Sequence, residues 1–554
     1  MSTFPPAPSS SRLRQEWRLI VGLMPGLLLL MLNVTLLSLI GAELTNALDS
    51  DRYRIQWIAG GYALGFMAGC MTTRLLFPLV GLSWCYWGSL LLFVLAAGMC
   101  GTVDSVLAMT PLRFLQGYGM GMALNSAMLL LWQRFGGHIP AWMALYGTII
   151  FAGALIGAPL GGLLVHWLSW RWVFLIHFPL GALALLLAWF GLPDDRPAVR
   201  GPLRLDWVHL AMTLGMLLCV TVVLDMGQFW GWLDSADLVA WLAGLVVLAS
   251  GFVVWGIVMP TPLISLRPLA RPQYAGALVV KILYSINIYT LIDLLSNYMI
   301  RLRDYQWWQG SIVLLSALAL MLVAVCAGLH FGSPTNRKMR LLLGLTMMTA
   351  TTWQLSFVDL YTSKTWIGLL VAVWGTGVGL AAVPVMMTLF EGLTREQAFY
   401  SAGIFNITRF LPAFVIGATM SVLLSRMTDA QIDRLRLRIT HNQPAVSATL
   451  GHMKSEFTTR NQRTNGQDRQ AQAALSAWVR ANARAFAFQN ILGYLAWLTA
   501  VGVILASLSP TAPRPEPAQE GTAAVGPVAL SSAGFEQPGT THRSAILSGG
   551  MPTA

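Results

Sequence analysis

Four charged side chains interrupt apolar stretches of this sequence, where burying an unpaired charge costs free energy. They are Arg113, Lys281, Asp293 and Arg409. Ionisable residues in such positions pair with one another, line a polar cavity, or handle protons and ions. A carboxylate in a cavity can bind and release protons near neutral pH, whereas arginine and lysine attract anions. These residue types predict proton transfer or the binding of a charged small molecule.

The elements that carry these residues are very apolar. The chain has 554 residues, of which 56% are hydrophobic and only 10% are charged, against about 25% charged in an average soluble protein. Runs long enough to cross a bilayer recur about fourteen times. We therefore expect an all-α membrane protein with about fourteen transmembrane helices. This composition excludes a soluble enzyme, a disordered protein and a secreted disulfide scaffold.

The spacing of the apolar runs predicts the domain organisation. The expected parts are a cytoplasmic N-terminal tail (1–17), a six-helix bundle (18–192), a linker with transmembrane helices seven and eight (193–262), a second six-helix bundle (263–508), and a disordered cytoplasmic tail (509–554). The second bundle includes a long polar loop (425–486), which we expect to form a small cap outside the cytoplasm. Segments 429–439 and 471–488 of that region have helical character.

The balance of charge predicts the orientation of the chain. Lys and Arg number 35 against 23 Asp and Glu, a net charge of +12. Most of the basic residues in short loops fall on one side, which by the positive-inside rule is the cytoplasmic side and holds both termini. The excess therefore has a topological cause, and no nucleic-acid partner is expected. The predicted location is a bacterial inner membrane.

An internal repeat divides the chain. The segment GYGMGMA (117–123) recurs as GTGVGLA (375–381). Such a match at the fourth helix of each six-helix set is typical of transporters built from two parallel halves. Close helix packing, which also favours glycine, is the alternative explanation.

Several motifs in order along the chain resemble those of one transporter family. They are LRFLQGYGMG (112–121), GALIGAPLGG (153–162), SWRWVFLIHFPLG (169–181), LDWVHL (205–210) and LDMGQFWGWLDS (224–235). Together they resemble the major facilitator superfamily, and specifically its fourteen-helix drug:proton antiporters, the EmrB-like multidrug exporters. The resemblance implies a fold of two six-helix bundles plus two linker helices.

The resemblance also implies roles for individual residues. Arg113 lies at the position of a proton-relay arginine, with Gln116 one turn away on the same helix face. A structural arginine bonded to backbone carbonyls is the alternative. The fifth-helix motif provides the gating and helix-bend candidates Gly153, Gly157, Pro159, Gly161 and Gly162. These small residues predict close packing, a bend at the interface of the two halves, or both.

Two departures from the family pattern bear on coupling. Asn33 occupies the place of a usual carboxylate, and an amide cannot titrate. The loop motif between helices two and three lacks its acid in TTRLLFPLVGLSW (72–84). We therefore expect proton coupling to have moved to Asp293 or Asp225, with Asp293 preferred for its depth. Pairing of Asp293 with a buried arginine such as Arg409 is the opposing interpretation.

The remaining buried polar residues predict a substrate cavity formed by Asn33, Gln116, Lys281, Asn406 and Arg409. Its basic groups favour amphipathic organic anions or zwitterions, such as siderophores. The alternative for Lys281 is snorkelling to the cytoplasmic interface, and Arg409 has the same two interpretations.

The predicted function is export of drug-like or toxin-like molecules in exchange for protons by alternating access. The alternative is a non-transporting or uncoupled membrane sensor of the same fold. Motifs for ATP-binding, zinc-protease and serine-hydrolase sites do not occur in the sequence, so we expect no enzyme activity, cofactor or metal. The expected partners are a small-molecule substrate, protons and the lipid bilayer. The family also implies a periplasmic membrane-fusion adaptor and an outer-membrane channel, unless the long loop is a passive cap.

Overall fold

The computed structural model describes most of the chain. The described residues are 10–36, 44, 47–50, 52–135, 139–194, 206–227, 230–231, 234–259, 267–303, 305–330, 336–390, 395–438 and 467–509. All regular elements within these ranges are helices, which confirms the predicted all-α class. The two predicted tails fall largely outside these ranges, as do residues 195–205 and 439–466.

Fourteen long helical segments occur in the described ranges. They are α1 (Ser10–Leu36), α2 (Arg52–Val80), α3 (Leu82–Cys100), α4 (Val106–Arg134), α5 (Ile139–Trp167), α6 (Trp172–Gly191), α7 (Trp207–Met226), α8 (Ala236–Val258), α9 (Pro272–Asn297), α10 (Trp307–His330), α11 (Arg337–Leu355), α12 (Lys364–Phe390), α13 (Arg395–Arg438) and α14 (Gln467–Leu508). Eleven of them are long and apolar enough to cross a membrane. The more polar helices α4, α11 and α13 are not among the eleven, so the count of fourteen spans stays a prediction.

Helix ends differ from the sequence prediction in two places. Helix α1 begins at Ser10, inside the segment predicted as a tail, because apolar residues mark the part of a helix in the membrane and not its start. Helices α13 and α14 have 44 and 42 residues and continue into the predicted loop 425–486. At about 1.5 Å per residue each is roughly twice as long as the ~30 Å hydrocarbon core. The helical segments predicted in that region are therefore continuous with the long helices α13 and α14.

The glycine repeat produces the same packing in both halves. A Cβ atom on Gly117 of α4 would overlap the carbonyl oxygen of Tyr62 in α2. A Cβ atom on Gly375 of α12 would overlap the carbonyl oxygen of Ala317 in α10. Equally close approaches occur at Gly119, Gly121, Gly377 and Gly379. Because α4 meets α2 and α3 as α12 meets α10 and α11, the two halves are built alike.

The two halves share one hydrophobic core at the end where α4 finishes, here called the Arg134 side. There Leu131 of α4 belongs to the same buried cluster as Met386 of α12 and Phe405 of α13. The Trp132 and Phe390 rings are 5.2 Å apart between centroids and join α4 to α12. The interface between the two halves is here called the seam. Helix α5 belongs to it, since α5 packs on α1 of the first half and on α10 of the second half.

Both ends of the helical array lie on the Arg134 side. Arg134 at the end of α4 donates a hydrogen bond to Gln15 near the start of α1. Helix α11 begins where its neighbour α12 ends, and its Lys338 donates to the carbonyl oxygens of Ser507 (2.9 Å) and Ser509 (2.7 Å) at the end of α14. The chain must therefore run from one side of the helical array to the other an even number of times between these two ends.

Helices α7 and α8 form a hairpin beside the two halves. Helix α7 packs against α2 and touches α13, while α8 packs mainly on α7. The Asp206 carboxylate accepts a hydrogen bond from the backbone N–H of His209 at 3.0 Å and caps α7. It also accepts from the Trp255 indole of α8 at 3.0 Å, which fixes the hairpin. This arrangement agrees with two linker helices inserted between two bundles.

Candidate functional site

A buried hydrogen-bonded chain joins three helices of the first half. The Arg113 Nη1 atom donates to Gln116 Oε1 at 2.6 Å, and Gln116 Nε2 donates to Asn33 Oδ1 at 3.0 Å. Asn33 Nδ2 in turn donates to the Tyr62 hydroxyl at 2.9 Å. The Arg113 guanidinium lies 4.2 Å from the Tyr62 ring centroid, a cation–π distance. The structure thus brings together three of the predicted residues, and the described partners of Arg113 are side chains.

The second half holds a matching network that sequence reasoning missed. Asn287 of α9 accepts a hydrogen bond from the Trp374 indole at 2.8 Å. Its amide donates to the hydroxyls of Thr352 (3.1 Å) and Thr499 (2.9 Å). The repeat contained the signal, because Trp374 lies at the same offset from Gln116 as the two glycine segments have from each other. In each half, an asparagine accepts from the fourth helix.

Lys281 and Arg409 form a pair of cations around one aromatic ring. Lys281 is 2% exposed and donates to the Phe405 carbonyl oxygen at 2.7 Å and to the Thr408 hydroxyl at 3.0 Å. Snorkelling of Lys281 is therefore wrong, because its stem points towards α13 and not towards the helix end. The Lys281 ammonium and the Arg409 guanidinium lie 4.3 Å and 5.0 Å from the Phe405 ring centroid. Arg409 is 3% exposed, and its Nη1 atom has no hydrogen-bond partner among the described residues.

Asn406 lies at the seam between the halves. Its Oδ1 atom accepts from the Tyr146 hydroxyl of α5 at 3.3 Å, and its Nδ2 atom donates to Asn125 Oδ1 of α4 at 3.4 Å. Asn125 is held within its own half by a 3.0 Å bond to the Cys70 carbonyl oxygen. Both Asn406 bonds therefore cross the seam.

Of the two acidic candidates, Asp293 is the one whose side chain the structure describes. Asp293 was expected to be buried, but its side chain is exposed. Asn297 donates to the Asp293 backbone carbonyl at 2.9 Å. The side chain of Asp225 is not among those described. Within the described part of the chain, the buried charged residues are Arg113, Lys281 and Arg409, with no aspartate or glutamate beside them.

The fifth-helix glycines pack α5 against α1. A Cβ atom on Gly153, Gly157 or Gly161 would collide with α1 residues, and Thr35 of α1 donates to the Ala154 carbonyl oxygen at 2.6 Å. Gly162 beside them is half-buried. The helix runs unbroken through Pro159. These contacts support the packing interpretation, and a bend at the interface stays a prediction.

Two small apolar cavities lie along the seam. A cavity of about 30 Å³ is lined by residues that include Trp132, Trp142 and Tyr146. A second cavity of about 10 Å³ is lined by residues that include Phe151 and Trp374. The Arg409 guanidinium is 5.8 Å from the Tyr146 ring centroid and 5.7 Å from the Phe151 ring centroid. Arg409 thus lies within cation–π distance of one ring from each cavity.

Two similar helical halves, a polar seam between them and cavities along that seam define the class of helical membrane transporters. The chain belongs to the Major Facilitator Superfamily, whose family model matches residues 23–417. The superfamily predicted from the motifs is confirmed. It is a family of transporters, which is not an enzyme class.

Named relatives and a solved structure agree with this assignment. The chain is 26% identical to the drug efflux pump JefA of Mycobacterium tuberculosis over 402 residues, which cover 70% of this chain and 76% of that protein. It is 23% identical to the tetracenomycin C resistance and export protein of Streptomyces glaucescens, with 72% and 73% covered. The crystal structure of the nucleoside transporter NupG has the same fold, with a TM-score of 0.51, 11% identity, and 89% of this chain and 99% of that chain covered.

Proposed function

We propose that this protein exports small organic molecules across the bacterial inner membrane by alternating access, in exchange for protons. The observation that carries the proposal is the seam, where Asn406 of the second half forms hydrogen bonds with Tyr146 and Asn125 of the first half. Halves joined in this way can rock around a site between them. The functions of the relatives, drug efflux and tetracenomycin C export, support outward transport and disfavour a sensor.

The proposed orientation places both termini and loop 193–206 in the cytoplasm, and segment 439–466 outside. The positive-inside pattern supports it, together with the common side shared by the start of α1 and the end of α14. The test is labelling of a single cysteine at position 450, in a variant without the five native cysteines, by a membrane-impermeant maleimide. Labelling from the outside of intact cells is expected. Labelling only after the cytoplasm is opened would reverse the orientation.

Proton coupling is assigned to Asp293, with Asp225 as the second candidate and Arg113 as the fixed charge of the relay. The Asp293 carboxylate is exposed on α9 of the second half. It can exchange protons with water whenever the carrier is open to the side of the membrane on which Asp293 lies. Asp293→Asn preserves shape and removes titration, so it should abolish substrate-driven proton flux while expression stays normal. The measurement is the change of internal pH in proteoliposomes offered cationic, neutral and anionic test compounds.

The matched control is Asp237→Asn, which removes an exposed carboxylate in the first turn of α8. This control should keep the proton flux of the wild type. Undiminished flux in Asp293→Asn, together with loss of flux in Asp225→Asn, would move the coupling acid to α7. Export by the wild type with no pH change under any condition would refute the exchange of protons altogether.

A further inference from the structure

The charged side chains that are both described and buried in this carrier are all cations. They are Arg113, Lys281 and Arg409. The ion pairs Arg171–Asp104 and His209–Asp206 do not involve these cations, and no described carboxylate lies buried with them. A buried cation without a counter-charge is costly, and such residues mark the path of a ligand or an ion.

Two of these cations lie together where the halves meet. Lys281 and Arg409 approach the same Phe405 ring, and Arg409 also approaches rings of α5 in the other half. The unpartnered Nη1 atom of the 3% exposed Arg409 can still donate a hydrogen bond. A guanidinium with a free N–H, next to an ammonium, fits the oxygens of a carboxylate or sulfonate.

The surroundings of the pair are apolar. Tyr146 lines the cavity of about 30 Å³ and Phe151 lines the cavity of about 10 Å³, and both rings lie within cation–π distance of the Arg409 guanidinium. Cavities this small hold about a water molecule, so the apolar body of a bound anion would enter between these aromatic rings only when the halves move apart. Ligand sites are lined mainly by apolar and aromatic side chains, with few polar groups that fix the orientation.

We propose that Lys281 and Arg409 bind the anionic head group of the transported molecule, and that its substrates are amphipathic organic anions. This inference rests on the proposed exporter function. Cations are excluded from this site because two positive charges repel them and no described carboxylate stands beside the pair. Neutral molecules would leave both charges unneutralised.

Equilibrium binding to the purified full chain in detergent tests the proposal. The probes are tritiated naphthalene-1-acetate, with naphthalene-1-acetamide and 1-naphthylmethylamine as competitors that carry the same ring, and decanoate and decanesulfonate as further acids. At least one acid should bind ten times more tightly than the amide and the amine. Arg409→Gln and Lys281→Gln should each reduce acid binding tenfold or more. Arg409→Lys, which keeps the charge, should retain more of it than Arg409→Gln does.

The matched control is Lys364→Gln, which removes one positive charge at the start of α12 and should leave acid binding unchanged. Elution as a single species in size-exclusion chromatography checks folding, and if Arg409→Gln fails there, Lys281→Gln and Arg409→Lys decide. Binding of the amide or amine as tight as that of the acids, absence of binding by all three acids, or full acid preference in the folded neutral variants would overturn the proposal.

The exporter function and the anion-binding site can be contradicted independently of each other. Transport of the amine in energised inside-out vesicles, without acid binding, would overturn the anion site and leave the exporter function standing. Charge-dependent acid binding in a protein that transports none of the probes would overturn the exporter function and leave the site standing.

Discussion

Asn33 and Asn287 occupy corresponding positions in the two halves, and each accepts a hydrogen bond from the fourth helix of its half. The donors are Gln116 in α4 and Trp374 in α12, at 3.0 Å and 2.8 Å. The family resemblance alone suggests that Asn33 replaces a carboxylate and so has lost a proton site. The structure gives it a different task, because an amide both accepts from Gln116 and donates to Tyr62, and an ionised carboxylate could only accept.

The Asn287 network leads to a prediction about stability. Asn287→Leu leaves the Trp374 indole without its acceptor and two threonine hydroxyls without their donor. Because these groups are buried, we expect a loss of about 1–2 kcal/mol and a lower unfolding temperature. Differential scanning fluorimetry in detergent measures it. The control Asn482→Leu changes an amide bonded at an exposed site of α14 and should have little effect; equal losses in both variants would argue against a specific role for the network.

The sequence allowed better predictions of which residues interact than of which way their side chains point. The Arg113–Gln116 contact follows from their spacing of three along a helix, and it is confirmed. The exposed position of Asp293 could not be predicted, because α9 is apolar on all sides and its pattern does not reveal which face is buried. For Lys281 the sequence left burial in a cavity and snorkelling both open, because distance from a helix end says nothing about the helix packed over it.

At the scale of elements, the glycines of α4 and α12 set how closely the helices approach. A Cβ atom on Gly121 would overlap the Phe66 carbonyl oxygen of α2, which is backbone and cannot turn aside. Gly121→Ala should therefore destabilise the protein by about 1–3 kcal/mol, and Gly379→Ala should do the same in the other half. Gly88→Ala is the control, since nothing lies within 4 Å of its added carbon.

Thermal unfolding of the three purified variants measures these effects. For Gly88→Ala we expect no loss, or a gain of up to about 1 kcal/mol from helix propensity. A loss at Gly121 no larger than at Gly88 would mean that α2 and α4 are not held at this distance in the membrane.

The extensions of α13 and α14 lead to a prediction about partners. The two helices pack against each other, and their extensions carry exposed polar residues beyond the length that a bilayer requires. We propose that they dock a periplasmic adaptor and, through it, an outer-membrane channel. Deletion of 430–475 should leave transport in inside-out vesicles intact and abolish resistance of whole cells to the exported compound. Loss of vesicle transport as well would indicate a part of the carrier itself.

Elements could be predicted in place better than in their ends. Each of the fourteen predicted runs overlaps a described helix, and eleven of these helices are long and apolar enough to cross a membrane. Helix ends outside the membrane are not under this constraint. The start of α1 at Ser10 and the continuation of α13 to Arg438 depend on local helix propensity and tertiary contacts, which hydropathy does not report.

At the scale of the whole molecule, two like halves meet along a seam that is apolar at the Arg134 side and contains polar groups further in. The apolar part includes the Trp132–Phe390 contact, and the polar part includes Asn406 with its partners. The sequence indicated the duplication through one glycine repeat. It could not indicate which residues of α4, α5 and α13 face each other, because contacts between halves follow from docking and have no period along the chain.

The positive charges of the proposed anion site should make transport by this carrier sensitive to the membrane potential. Without substrate, the binding site holds the two positive charges of Lys281 and Arg409, and a membrane potential that is negative inside pulls that site towards the cytoplasm. A monoanion leaving in exchange for one proton moves two elementary charges per cycle, roughly 4.6 kcal/mol at 100 mV. A monocation exchanged for one proton would move none. We therefore expect substrate-dependent currents on solid-supported membranes loaded with this protein, and faster export when valinomycin sets an inside-negative potential; silent, electroneutral export would contradict the assignment of charge.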